Sequence, residues 1–154
     1  MGLDMYLSAK RYMSKYFDPA DSEKIASINE LFGLEGEEDG DYGAQEVTFR
    51  VGYWRKANAI HKWFVDNVQD GVDECQESYV SRDQLTALRD VCKEVLENRK
   101  KADELLPAQS GFFFGGTDYE DWYFGDLEHT VGRIDKILTD PALAKAEFYY
   151  QASW

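Results

Sequence analysis

The chain has 154 residues, enough for one domain with its own core, and 44% of them are hydrophobic, as in a globular protein. Thirty acids against 17 Lys and Arg give a formal net charge of −13, so the surface repels DNA, RNA and anionic lipid at long range and argues against a general nucleic-acid binder. Two cysteines, Cys75 and Cys92, are too few for a disulfide framework, and no apolar run reaches signal-peptide or membrane-span length, so the expectation is a cytoplasmic protein with free thiols.

The elements follow in chain order. GLDMYLSA alternates, with Leu3, Met5 and Leu7 on one side and Asp4, Tyr6 and Ser8 on the other, which predicts a half-buried strand. Asp21 or Ser22 then caps a helix whose Ile25, Ile28, Leu31 and Phe32 recur at helical spacing, and Gly33 ends it. Residues 35–43, EGEEDGDYG, form an exposed acidic loop without the ligand spacing of a calcium loop. QEVTFRVGYW predicts a second strand, with Gly52 as its end or a bulge. A helix from Tyr53 to about Gln69 and a short strand, ESYVS, come next. Ser81 and Gln84 form a capping box for a helix carrying Leu85, Leu88, Val91, Cys92, Val95 and Leu96 and running out near Pro107. The three Phe of SGFFFG predict a fourth strand, Thr117 and Glu120 a second capping box, and AEFYYQASW a closing strand. The last helix is expected to bury Tyr119, Trp122, Tyr123, Leu127, Val131, Ile134 and Leu138, and Pro141 prevents its continuation. Short, alternating strands suit a sheet with one covered face. The fold class is therefore α+β: a single domain over residues 1–154, with helices packed on a mainly antiparallel or mixed sheet of about five short strands.

Chemistry concentrates in YWRKANAIHKWF, residues 53–64. On a helical wheel Trp54, Ala57, Ile60, His61, Phe64 and Val68 share an arc, with Arg55, Lys62 and Asp66 opposite. His61 then faces inward, either as a core histidine held by one hydrogen bond or on a pocket wall beside Asn58 and Trp54. Arg55 and Lys56 fall in the first helical turn, where the dipole disfavours cations, and so ask for an anion from the acidic loop or from a ligand. FFFGGT could cradle phosphate, but Asp118, Glu120 and Asp121 would repel it, leaving a pocket lined by Phe112 to Phe114. No G-x-S-x-G or HExxH occurs, Cys75 sits among acids, and Cys92 lies on an apolar stripe. A non-enzymatic protein without cofactor or metal is expected, with a small hydrolase using His61 as one alternative.

Several blocks, GLDMYL, YWRKANAIHKWFV, LLP followed by GFFFG, and DYEDWY, resemble a family of small proteins encoded by bacteriophages and prophages. The resemblance implies an accessory protein acting inside a bacterial cell and carries no catalytic residues; modulation of host defence is the class-level expectation. The composition of the central block points to a small anionic ligand, for which a nucleotide signal is one candidate. The expected ligand-binding residues are Tyr53, Trp54, Arg55, Lys56, Asn58, His61, Lys62 and Phe113, and a homo-oligomer would deepen the pocket. The other alternative is an acidic inhibitor of a basic host protein.

Overall fold

The computed structural model describes residues 2–38 and 40–154. They fall into two compact units: one is built from the chain up to Ala9 together with Arg50–Trp154, and the other is Lys10–Phe49. The architecture is α+β, with four antiparallel strands where the sequence pattern predicts five. The strands β1 (Asp4–Tyr12), β2 (Glu46–Arg55), β3 (Ser78–Val80) and β4 (Glu147–Ser153) lie in the order β2-β1-β4-β3. The helices are α1 (Asp21–Phe32), α2 (Asn58–Val68), α3 (Arg82–Glu97), α4 (Ala102–Leu105) and α5 (Asp121–Thr139).

In the larger unit the sheet has one covered face, as the alternation predicts. Leu3, Met5, Leu7 and Ala9 are buried on that face with Phe148, Tyr150 and Ala152, while Asp4, Tyr6, Ser8 and Tyr149 are only half buried. β4 pairs with β3 in the register Ser78↔Tyr150, Tyr79↔Tyr149 and Val80↔Phe148. Ile60 and Phe64 of α2, Leu85, Leu88, Cys92 and Val95 of α3, and Leu127, Ile134 and Ile137 of α5 complete the core. At its centre the rings of Phe64 and Tyr150 stack at 3.9 Å, nearly parallel. The capping box of α3 forms as read: Ser81 Oγ accepts from Gln84 N–H and Gln84 Oε1 accepts from Ser81 N–H.

Four expectations are corrected here. First, β2 runs through Tyr53, Trp54 and Arg55, and α2 begins only at Asn58. Gly52 is no strand end; it lies within β2, where a Cβ would stand 2.8 Å from the Trp54 ring and 3.1 Å from Leu7 Cβ. The chain reverses at Lys56, which takes a left-handed φ of 58° and donates its N–H to Leu3 O. Second, the Phe-rich segment is a turn and not a strand: Phe114 N–H bonds Gly111 O, and Gly115 has a φ of 87°. Third, α5 starts at Asp121 with no side-chain cap, so Thr117 and Glu120 form no capping box. Its inward row is Tyr123, Leu127, Thr130, Ile134 and Ile137, and Trp122 stays 88% exposed. Fourth, α3 stops at Glu97, and a 3-10 turn and α4 lead on towards Pro107.

In the Lys10–Phe49 unit, Met13 N–H bonds Gln45 O across the ends of β1 and β2. Neither Asp21 nor Ser22 caps α1, since Ala20 holds the cap position. Asp21 instead is buried, accepting from the Arg11 guanidinium at 2.7 Å and from Ser14 N–H at 3.0 Å. Gly33 closes α1 in the left-handed conformation, as expected. The acidic loop is exposed through the described residues 35–38 and 40–42, and Asp39 lies outside the described residues.

The Phe64–Tyr150 stack is the test of the core. Phe64→Ala should lower stability by about 3–5 kcal/mol, read from urea midpoints, because a fully buried ring is removed and its partner is left without a face to pack on.

Candidate functional site

A cavity of about 400 Å³ opens where β2 turns into α2. Its walls come from three short stretches: Arg55 to Ile60, Gly115 to Glu120, and the first turns of α5 with Trp122, Tyr123 and Asp126. Gly115 closes tightly on one wall, where a Cβ would meet Lys56 Cβ at 3.2 Å.

The cavity lining carries charges of both signs. Arg55 and Lys56 are exposed, and among the described residues neither has an ion-pair partner within 4.0 Å. Beside them α2 begins without a side-chain cap, so the first-turn N–H groups of Ala59 and Ile60 have no capping oxygen. The lining also carries Asp118, Glu120 and Asp126. Burial raises the Asp126 carboxyl to about 6, so it exchanges its proton close to neutral pH. Trp122, whose ring is exposed, and Tyr123 also line the cavity.

Of the eight residues that sequence singles out, the cavity holds Arg55, Lys56 and Asn58. Asn58 is a brace: its amide donates to Phe114 O at 3.1 Å and Gly116 O at 2.8 Å, and its Oδ1 accepts from Gln109 N–H at 3.0 Å. Trp54 is buried below, where its indole N–H donates to Thr130 Oγ1 at 2.9 Å. Tyr53 lies elsewhere, donating to Asp4 at 2.5 Å, a bond that raises its pKa. Lys62 pairs with Asp66 one helical turn on, at 2.6 Å. Phe113 packs against the core and gives its carbonyl to Leu3 N–H. Trp122, Tyr123 and Asp126 are the cavity residues that sequence missed as a site. The signal for Trp122 was its place outside the 4,3,4,3 row that runs from Tyr123 to Ile137.

His61 is no pocket wall. It is fully buried, and both ring nitrogens are engaged, Nδ1 with Tyr150 Oη at 2.6 Å and Nε2 with Asp73 Oδ2 at 2.9 Å. Burial, then the Asp73 charge, pushes the Tyr150 hydroxyl well up, so this phenol keeps its proton and donates to Nδ1. The imidazole then holds its proton on Nε2 and donates to Asp73. Trp154 N–H completes the chain on the other Asp73 oxygen at 3.1 Å. Neither ring nitrogen of His61 is left for a substrate. Cys92 is likewise inert in the core, its thiol pushed up to about 12 by desolvation.

Comparison of the chain with protein-family models, with curated proteins and with solved structures finds no match. No helix among the described residues is long and apolar enough to cross a membrane.

Two measurements check this geometry. His61→Ala should cost at least about 2 kcal/mol of stability, since it leaves a cavity and strands a buried phenol hydroxyl. Asp126 supplies a pH signature. The unfolded chain loses this proton near 3.8 and the folded chain near 6, so unfolding releases a proton between those values and stability falls as pH rises through them. Asp126→Asn lacks that loss, so urea midpoints across the window should show its stability gaining on the parent's as pH rises.

Proposed function

We propose that this chain is a non-enzymatic accessory protein that binds and sequesters a small anionic ligand of the nucleotide type in the cavity beside Arg55 and Lys56. The observation that carries this reading is the pair of cations without ion-pair partners next to an uncapped helix start. Guanidinium, ammonium and first-turn N–H groups are together the usual receptor for phosphate or carboxylate. Trp122 and Tyr123 offer ring faces for a planar base. The acids in the lining favour a ligand that also bears hydrogen-bond donors. An exocyclic amine or ring N–H of a nucleobase would donate to Asp126 or Glu120, whereas a second anionic group close to these acids would be repelled. The cavity size falls within the usual range for small-molecule sites. The resemblance of the sequence blocks to phage and prophage proteins supports, as part of this proposal, a nucleotide signal of bacterial defence as the ligand and the host cytoplasm as the place of action.

His61 does not support the hydrolase alternative, because Tyr150 and Asp73 occupy both of its nitrogens. A panel of nucleotides, followed by thermal shift and calorimetry, tests the binding reading. A cognate nucleotide should raise the melting temperature, and Arg55→Ala with Lys56→Ala should weaken it tenfold or more, the size of one lost charge-assisted bond of about 1.5–3 kcal/mol. A panel in which no nucleotide shifts the melting temperature overturns the proposal.

A further inference from the structure

The Lys10–Phe49 unit contains a helix whose most deeply buried residues are polar. The buried residues of α1 are Asp21 and Asn29, Ile25 and Ile28 on the same face are half buried, and Leu31 and Phe32 are 79% and 80% exposed. The polar residues are inside for a local reason. Asp21 receives the Arg11 guanidinium and Ser14 N–H, and Asn29 Oδ1 accepts from Ala44 N–H at 2.8 Å. Gly36 and Gly43 close against the Asn29 amide, where a Cβ would come within 2.5 Å and 2.8 Å of its Nδ2. This polar clasp holds the unit, so the apolar residues are left over. Tyr16 and Phe17, in the turn before α1, are 76% and 85% exposed.

Alongside α1 the same unit holds an open groove of about 850 Å³. Tyr12, Tyr16, Ile25, Leu34 and Tyr42 give it an apolar lining, and Glu30, Glu37 and Glu38 stand among them. Exposed rings at this density mark contact surfaces, since a solvated surface gains nothing from them.

We propose that this groove is a docking surface for a basic amphipathic segment of a protein partner, with its apolar side against the tyrosines and its Lys or Arg side chains over the glutamates. The charge balance selects that occupant. The unit carries ten acids against four bases, and of those bases Arg11 is held by Asp18 and Asp21 while Lys15 bonds the Glu38 carbonyl. A second copy of this chain would bring the same acids against them, and an anionic membrane or nucleic acid would be repelled in the same way. The groove and the ligand cavity share no lining residue, so either proposal can fail without the other.

The probe is a fluorescent helical peptide with Lys and Arg on one face and Leu and Phe on the other, titrated with the full chain at low and high salt. Binding should be seen, weaken at high salt, and vanish when the peptide's cations are exchanged for Glu. Tyr16→Ser combined with Leu34→Ser should weaken it about tenfold or more, as for loss of interface anchors. Both residues are exposed, so the melting temperature of the double variant should match the parent and a folding defect is recognisable. Arg55→Ala with Lys56→Ala should leave peptide binding unchanged. Absence of binding, equal binding by the double variant, or equal binding of the acidic peptide overturns the proposal. So does sedimentation showing a concentration-dependent dimer that the double variant abolishes, which would assign the groove to a second copy.

Discussion

One side chain joins the parts of the larger unit. Tyr150 stacks its ring on Phe64 and places its hydroxyl on His61, which in turn holds Asp73. A strand, a helix and the segment after that helix are thereby fixed to each other in three different ways: ring packing, a buried neutral hydrogen bond and a bond to a carboxylate. The low dielectric around the phenol strengthens these bonds and makes an incomplete network costly. The cavity depends on this core indirectly. α2 must be pinned from below by Phe64 and His61 before its uncapped first turn can be presented beside Arg55 and Lys56.

Much of that arrangement was legible in the sequence. The alternation of Leu3, Met5 and Leu7 against Asp4, Tyr6 and Ser8 gave both the strand and its buried face. Ser81 and Gln84 gave a helix start because their two bonds lie within four residues. The inward aim of His61 was readable, but its partners were not: Asp73 is 12 residues away and Tyr150 is 89, and no local spacing encodes such a meeting. The strand-to-helix boundary was misplaced by five residues because Trp54 fits both periods. It alternates with Tyr53 in β2, and it also falls on the apolar arc of the wheel. The cations Arg55 and Lys56 therefore sit outside the helix, and the dipole penalty assigned to them does not arise. They remain notable for a different reason: among the described residues neither has an ion-pair partner.

Aromatic residues also divided in a way that composition could not show. In DYEDWYF the consecutive rings cannot all face inward from one helix, and Tyr123 and Phe124 took the core positions. Trp122 was left to the solvent and to the cavity. α1 follows its apolar spacing only in part. The spacing of Ile25, Ile28, Leu31 and Phe32 specified a helix, and Ile25 and Ile28 are half buried on the face that also buries Asp21 and Asn29. The side-chain hydrogen bonds of Asp21 and Asn29 to Ser14 and Ala44 N–H take the deepest positions there, and Leu31 and Phe32 are left exposed.

The sheet order β2-β1-β4-β3 places the strand made last between two made earlier. During synthesis β1 can pair with β2 early, but its other edge and the whole of β3 stay open until residues beyond Glu147 have left the ribosome. The Lys10–Phe49 unit is continuous in sequence, and its internal contacts need no later residue. The nascent chain thus has an early, locally closed part and a late, centrally zipped part. Its vulnerable interval is the wait for β4, when exposed strand edges are open to pairing with other chains.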